Sequence, residues 1–315
     1  MGTIAFIVPE SGKYISYGRY IKLFELVMQK FNSKLVITKD YKSVPDADII
    51  VIFKSPEYYD PSRLEGIHNL LRNKILIGYW TDIHFQETIT SGKFTQDEVY
   101  KDKMRQVLDR CDYILCPYKY TFQQLWGEYM NKFVFFPHFI NYMSNGINTN
   151  PAKSCLLSGM IDDAYPLRKE ICSTINDNIF VLKHPGYGMN DLQLKTNGFV
   201  VDKEYYQTIS KFLCSIATCG LMNYVTGKYF EIPSMGTLLL ANHTPDLDTL
   251  GFQDNVNFVE INKYNWTDKI DYIVSNPEQY TDIRMRGYNF VVNNHTIYHR
   301  ANQLIGIIDE ATRRI

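Results

Sequence analysis

Short runs of β-branched and apolar residues alternate with longer segments whose apolar positions recur at helical spacing. Thr3–Val8 reads as a buried strand, and Tyr17–Phe31 follows with Tyr20, Leu23, Phe24, Val27 and Phe31 on one helical face. Lys34–Thr38, Asp48–Phe53, Lys74–Tyr79, Tyr113–Cys116 and Phe133–Phe136 continue as strands. Pro61–Arg72, Gln96–Asp109 and Phe122–Met130 read as the intervening helices. Strand, helix and strand joined by short connections predict a mostly parallel sheet covered by helices on both faces.

The period stops at Asn141–Lys153, which is rich in Asn, Ser, Gly and Pro and reads as an interdomain linker. It then restarts. Ser154–Leu157, Ile179–Leu182, Leu213–Ala217, Thr237–Ala241 and Val256–Ile261 are the expected strands. Pro166–Ile175, Tyr205–Phe212 and Tyr229–Ser234 are the helices among them, and the chain beyond Ile261 is mainly helical. Arg300–Ala311 carries Ala301, Leu304, Ile305, Ile308 and Ala311 on one face. The expectation is an α/β chain of two doubly wound, Rossmann-like units. The first spans 1–145 and the second 154–299, with the helix at about 300–315 returning to the first.

Length and composition agree with that division. The chain has 315 residues, 45% hydrophobic and 21% charged, which suits two ordinary cores. Lys and Arg number 33 against 34 Asp and Glu, a balance that gives no reason to expect a nucleic-acid partner. No apolar run reaches the ~18 residues of a membrane span, and the N-terminal run lacks the basic flank of a signal peptide. The six cysteines form no CxxC pair, so they read as buried free thiols in a reducing compartment, and the expected location is cytoplasmic.

In open α/β sheets ligands lie beyond the carboxyl ends of the strands, which directs attention to a few turns. After the first strand come Ser11 and Gly12, where the glycine either admits a ligand to the backbone or closes a tight turn. The segment is not GxGxxG, which argues against a dinucleotide oxidoreductase. After Lys74–Tyr79 come Asp82 and His84, either a general base with its orienting partner or a loop cap.

In the second half, Ser158 and Gly159 end a strand, and Arg168 lies in the first turn of a helix opened by Pro166. That arginine either clamps a diphosphate or sits on the surface. His184 and Tyr187 flank a turn made by Pro185 and Gly186. Glu231 stands among apolar neighbours, paired either with a ribose diol or with Lys228 on the surface. Asp246-Leu247-Asp248 resembles a metal-binding D-x-D but falls in a polar loop and is read as coincidental.

Together YPLR (165–168), HPGY (184–187), KYFEIPSMGTLLLA (228–241), LGF (250–252) and HTIYHRANQL (295–304) resemble the CgeB-like glycosyltransferases and the glycosyl transferases family 1 C-terminal domain. The resemblance covers about 154–308, and the 228–241 block is its most specific part. It implies a GT-B fold, in which two Rossmann-like domains face a central cleft. The C-terminal domain would hold a nucleotide-diphosphate sugar, UDP- or GDP-linked. Glu231 would then hold the ribose, and Gly236 and Thr237 would approach the diphosphate with help from Arg168 or Lys228. No tightly bound cofactor and no metal are expected. The N-terminal domain, with Ser11 and Gly12, would take a glycan or glycoconjugate acceptor. The alternative is a non-catalytic two-lobed protein that binds carbohydrate or nucleotide.

Overall fold

A computed structural model describes residues 3–9, 18–38, 46–54, 74–81, 83, 89–90, 93–94, 98–186 and 191–314. The chain divides into two compact units. One comprises Met1–Thr88, Phe94–Pro137 and Ile297–Ile315, the other Ile89–Lys93 and His138–Thr296.

The first unit is built on β1 (Ile4–Pro9), α1 (Gly18–Met28), β2 (Ser33–Thr38), β3 (Ile49–Lys54) and β4 (Ile75–Trp80). Between β4 and the next helix, β5 (Ile89–Thr90) pairs with β6 (Lys93–Phe94) in a short ladder whose residues Ile89–Lys93 group with the second unit. Then follow α2 (Glu98–Arg110), β7 (Tyr113–Cys116), α3 (Lys119–Trp126) and β8 (Phe133–Phe135). The strands form one parallel sheet in the order β2-β1-β3-β4-β7-β8. A parallel sheet is covered on both faces, which is why β1, β3 and β4 are almost continuously apolar rather than alternating. An aromatic nest fills the space above the strand ends. Tyr20 stacks on Phe53 at 4.2 Å, and Tyr79 meets Phe53 and Phe136 edge-on at 5.3 and 5.0 Å. The expected helix Pro61–Arg72 lies outside the described residues.

The second unit runs β9 (Ala152–Ser158), α4 (Pro166–Ser173), β10 (Ile179–Leu182), α5 (Asp191–Thr196), α6 (Asp202–Ile209) and β11 (Phe212–Ala217). It continues with α7 (Lys228–Ser234), β12 (Leu238–Ala241), α8 (Pro245–Leu250), β13 (Val259–Glu260), α9 (Trp266–Ser275) and α10 (Thr281–Asn294). Its parallel sheet has the order β10-β9-β11-β12-β13. Cys155, Leu157, Cys214, Ile216, Leu238 and Leu240 from the sheet pack with Trp266, Ile270 and Ile273 of α9. Five of the six free cysteines are buried, and Cys172 is partly so.

Three expectations change on inspection. The strand expected over Val256–Ile261 shrinks to β13, because Asn255 adopts φ +58° and Asn257 bonds back to Gln253 and Gly251 in a turn. Asp246 is not in a loop but buried in the first turn of α8. The stretch Asn141–Lys153 is bonded down within the second unit. Ser144 N–H donates to Ser234 O, Asn148 Nδ2 donates to Ser210 O, and Arg284 donates to Asn148 O.

The last helix, α11 (Ile297–Thr312), belongs to the first unit, where it packs on α1 and β3. Gln303 donates to Phe135 O, Tyr113 donates to Glu310, and the buried Arg300 donates to Pro137 O.

Candidate functional site

The strand order of the second sheet reverses between β9 and β11, and the connections leaving their carboxyl ends part there, the place where open α/β sheets bind ligands. The predicted residues Ser158, Gly159, Arg168 and Lys228 converge there. Ser158 closes β9, and Gly159 follows at φ +106°, a conformation that costs other residues dearly. A β-carbon on Gly159 would lie 2.6 Å from Lys228 Nζ and 2.8 Å from Arg168 Nη1. The two charged ends are therefore within about 6 Å of each other, where like charges repel by roughly 3 kcal/mol at an effective dielectric near 20.

Each cation is tied to neutral partners. Arg168, 3% exposed, donates from Nη1 to Met160 O at 2.7 Å and from Nη2 to Thr218 Oγ1 at 2.8 Å. Its guanidinium lies 4.0 Å from the centre of the Tyr165 ring. Burial excludes the surface-arginine alternative. Lys228 opens α7 and donates to Ser158 Oγ at 2.8 Å, and that oxygen shares a hydrogen bond with Tyr205 Oη at 3.0 Å. Desolvation, then the charge of Arg168, pushes the Lys228 ammonium well below the usual lysine range, against a smaller pull from Glu231. Two residues earlier, Thr226 Oγ1 is buried and has no hydrogen-bond partner among the described residues.

Glu231 is itself buried on α7, so it is not half of a surface pair with Lys228. His184 Nδ1 accepts the Gly186 N–H at 3.0 Å, and Gly186 has φ +80°, so Pro185 and Gly186 make the turn the sequence indicates. That bond puts the proton of the neutral ring on Nε2. Desolvation, with Lys228 and Arg168 nearby, lowers the His184 pKa to about 4. Beside it, Leu182, Lys183, Asn197, Gly198, Phe199 and Val200 line a cavity of about 350 Å³.

Gly236 and Thr237 do not join this group. They precede β12 and so stand at the amino-terminal edge of a parallel sheet whose carboxyl edge carries Ser158. Gly236 N–H donates to Pro233 O, and its carbonyl accepts from Arg284 at 3.1 and 2.9 Å. Thr237 is buried and donates to Ile209 O at 2.9 Å. Both residues have spent their polar groups on packing, which corrects the expectation that they approach a diphosphate. Two other motif segments are also structural. Gly251 ends α8 at φ +90°, and Phe252 beyond it meets Phe230 and Phe290 edge-on. His295 packs against Phe230 and Phe290.

Ser11, Gly12, Asp82, His84 and Tyr187 lie outside the described residues. The sequence reading missed Thr218, Tyr165 and Tyr205. Thr218 stands directly after β11, where the strand-end rule points, but no motif surrounds it. Tyr165 stands in the 165–168 motif but carries no assigned role there, and Tyr205 is one of 24 tyrosines with nothing in its spacing to single it out.

No three His, Cys, Asp or Glu side chains converge as a metal site among the described residues, and no helix there is long and apolar enough to cross a membrane. Residues 168–306 match the family model described as glycosyl transferase-like. None of the curated proteins matches the sequence. Sucrose-phosphate synthase from Thermosynechococcus elongatus superposes with a TM-score of 0.73 at 11% identity, covering all of both chains. Anabaena HepE, solved with UDP and glucose, gives 0.64 at 8% identity over 98% of this chain and all of its own. An alpha-glucosyltransferase solved with UDP gives 0.58 at 11% identity, again over 98% and 100%. At such identities the likeness speaks for the fold. The chain thus has the GT-B fold, and its residues 168–306 match a glycosyl transferase-like family model.

Proposed function

We propose that this chain is a glycosyltransferase that moves a sugar from a nucleotide-diphosphate sugar to a hydroxyl of a glycan or glycoconjugate. The observation that carries the reading is the pair Arg168 and Lys228, held against one glycine turn at the switch point of the second sheet. Two cations brought together against their own repulsion call for an anion between them, and a diphosphate bridges both. Glu231 takes the ribose hydroxyls. The cavity beside Leu182 and Lys183 takes the base, and UDP is the first candidate because HepE and the alpha-glucosyltransferase were solved with it.

In the reaction the acceptor oxygen forms a bond to the anomeric carbon as the bond from that carbon to the phosphate oxygen breaks. The acceptor proton passes to Asp82 or His84, which follow β4 in the sequence. Charge developing on the leaving diphosphate meets Arg168 and Lys228, which fill the role a metal ion has elsewhere.

Thermal shifts with UDP, GDP, TDP, CMP and their sugar conjugates, with and without magnesium, test the donor reading. One nucleotide should raise the melting temperature selectively and without metal. Arg168→Ala and Lys228→Ala should each weaken that ligand by about 10- to 100-fold. No shift with any nucleotide would overturn the reading. Transfer or hydrolysis of the donor distinguishes the enzyme from a two-lobed binding protein. Loss of turnover in His84→Ala or Asp82→Asn, with donor binding intact, would identify the base.

A further inference from the structure

The two cations at Gly159 differ in origin but share one device. Arg168 comes from α4 and Lys228 from the start of α7, yet each is placed over the face of a tyrosine. Arg168 lies 4.0 Å from the centre of Tyr165, and Lys228 Nζ lies 5.7 Å from the centre of Tyr205. A ring face carries partial negative charge and attracts a cation without neutralising it, as a carboxylate would. That difference matters at an anion site. A carboxylate partner would have to be displaced by the incoming phosphate, whereas a ring stays where it is.

Both rings are fixed from behind. Tyr165 is held by Gly220, whose hypothetical β-carbon would lie 3.0 Å from its Cε1, while Leu221 N–H donates to Ala164 O. Tyr205, on α6, is anchored through its hydroxyl to Ser158 Oγ, the same oxygen that accepts from Lys228. Lys228 is therefore gripped twice by one tyrosine, at the ring face and through the serine.

We propose that Tyr165 and Tyr205 are positioning residues for the donor, each seating one cation so that both point at the Gly159 turn before the diphosphate arrives. The proposal rests on the donor reading above. It explains how the pair stays aimed although Arg168 disfavours the charged form of Lys228, against a smaller pull from Glu231.

The test is calorimetric binding of UDP and GDP across pH 6 to 10, with melting temperature measured alongside. In the unaltered protein, affinity should fall at alkaline pH as Lys228 loses its proton. Tyr205→Leu should weaken binding about five- to tenfold and move that alkaline limb to lower pH, because the ring no longer favours the charged form. Tyr205→Phe keeps the ring and should retain most of the affinity. In Lys228→Ala, adding Tyr205→Leu should cost nothing further, since the cation it seats is gone. Tyr165→Leu should behave likewise against Arg168→Ala.

A merely structural tyrosine would lower the melting temperature while leaving affinity and the alkaline limb unchanged, and that result would overturn the proposal. So would full additivity of Tyr205→Leu with Lys228→Ala. If Tyr205→Leu does not fold, Tyr205→Met, which also removes the ring, takes its place and must move the limb and weaken binding by the same measure. If neither nucleotide binds the unaltered protein, or if Lys228→Ala binds as well as it does, the donor reading itself has failed and this one with it.

Discussion

His184 shows what burial, added to by two neighbouring cations, does to a third basic group. Its folded pKa of about 4 lies below the ordinary histidine value of 6.5, so the folded state resists protonation that the unfolded chain accepts. Stability from this residue is therefore present above pH 6.5 and is lost as pH falls through the window down to about 4. The ring is partly solvated, which softens the effect. Urea midpoints recorded over this range should decline less steeply for His184→Gln than for the parent chain. Equal slopes would mean that neither burial nor the cations lower the pKa of the folded ring. A bound nucleotide should reverse the trend, since its phosphates favour the imidazolium, and the binding heat would then vary with the ionisation enthalpy of the buffer.

At the scale of elements, glycines that share a left-handed backbone have two distinct uses. Gly159, after β9, leaves room for two cations. Gly236, after α7, leaves room for the chain at Gly146 and Ile147, whose backbone a β-carbon would meet at 2.9 and 2.6 Å. Alanine at either site carries about 1–3 kcal/mol of backbone strain. Gly159→Ala should lower nucleotide affinity sharply at a modest cost in melting temperature. Gly236→Ala should do the reverse, and calorimetry paired with thermal denaturation separates the two.

This contrast marks what the sequence makes legible. The β-branched runs reveal the strands because parallel strands are buried on both faces, and the sheets follow almost residue for residue at Tyr113–Cys116 and Ile179–Leu182. Arg168, Lys228 and Glu231 were legible as charges in apolar or strand-end positions. The opposite fate of Gly236 and Thr237 was not. A motif fixes their neighbours along the chain but not which edge of the sheet they occupy. Tyr205 was hidden for another reason: its ring becomes a cation seat only through contact with Lys228, far along the chain, whereas Tyr165 stands in the 165–168 motif beside the arginine it seats.

At the scale of the whole molecule, the chain builds the same strand order twice, β2-β1-β3-β4 and β10-β9-β11-β12, and places a switch point in each. The first falls between β1 and β3. The helix that completes the first unit comes from the far end of the sequence. Arg300, Ala301, Leu304, Ile307, Ile308 and Ala311 are its buried face. Leu304→Ala should cost about 2–5 kcal/mol. Hydrogen exchange should then quicken in α1, β1 and β3 while β9, β11 and β12 keep their protection.

That helix also sets an order of events on the ribosome. Domains of a nascent chain ordinarily settle in the order in which they are made. Here the sheet synthesised first lacks the cover of α1 and β3 until α11 has emerged, while everything the second sheet needs is already out. A chain truncated after Thr296 should bind a nucleotide yet lose its amino-terminal half to a protease. The unit whose sheet is made first would be the last to close.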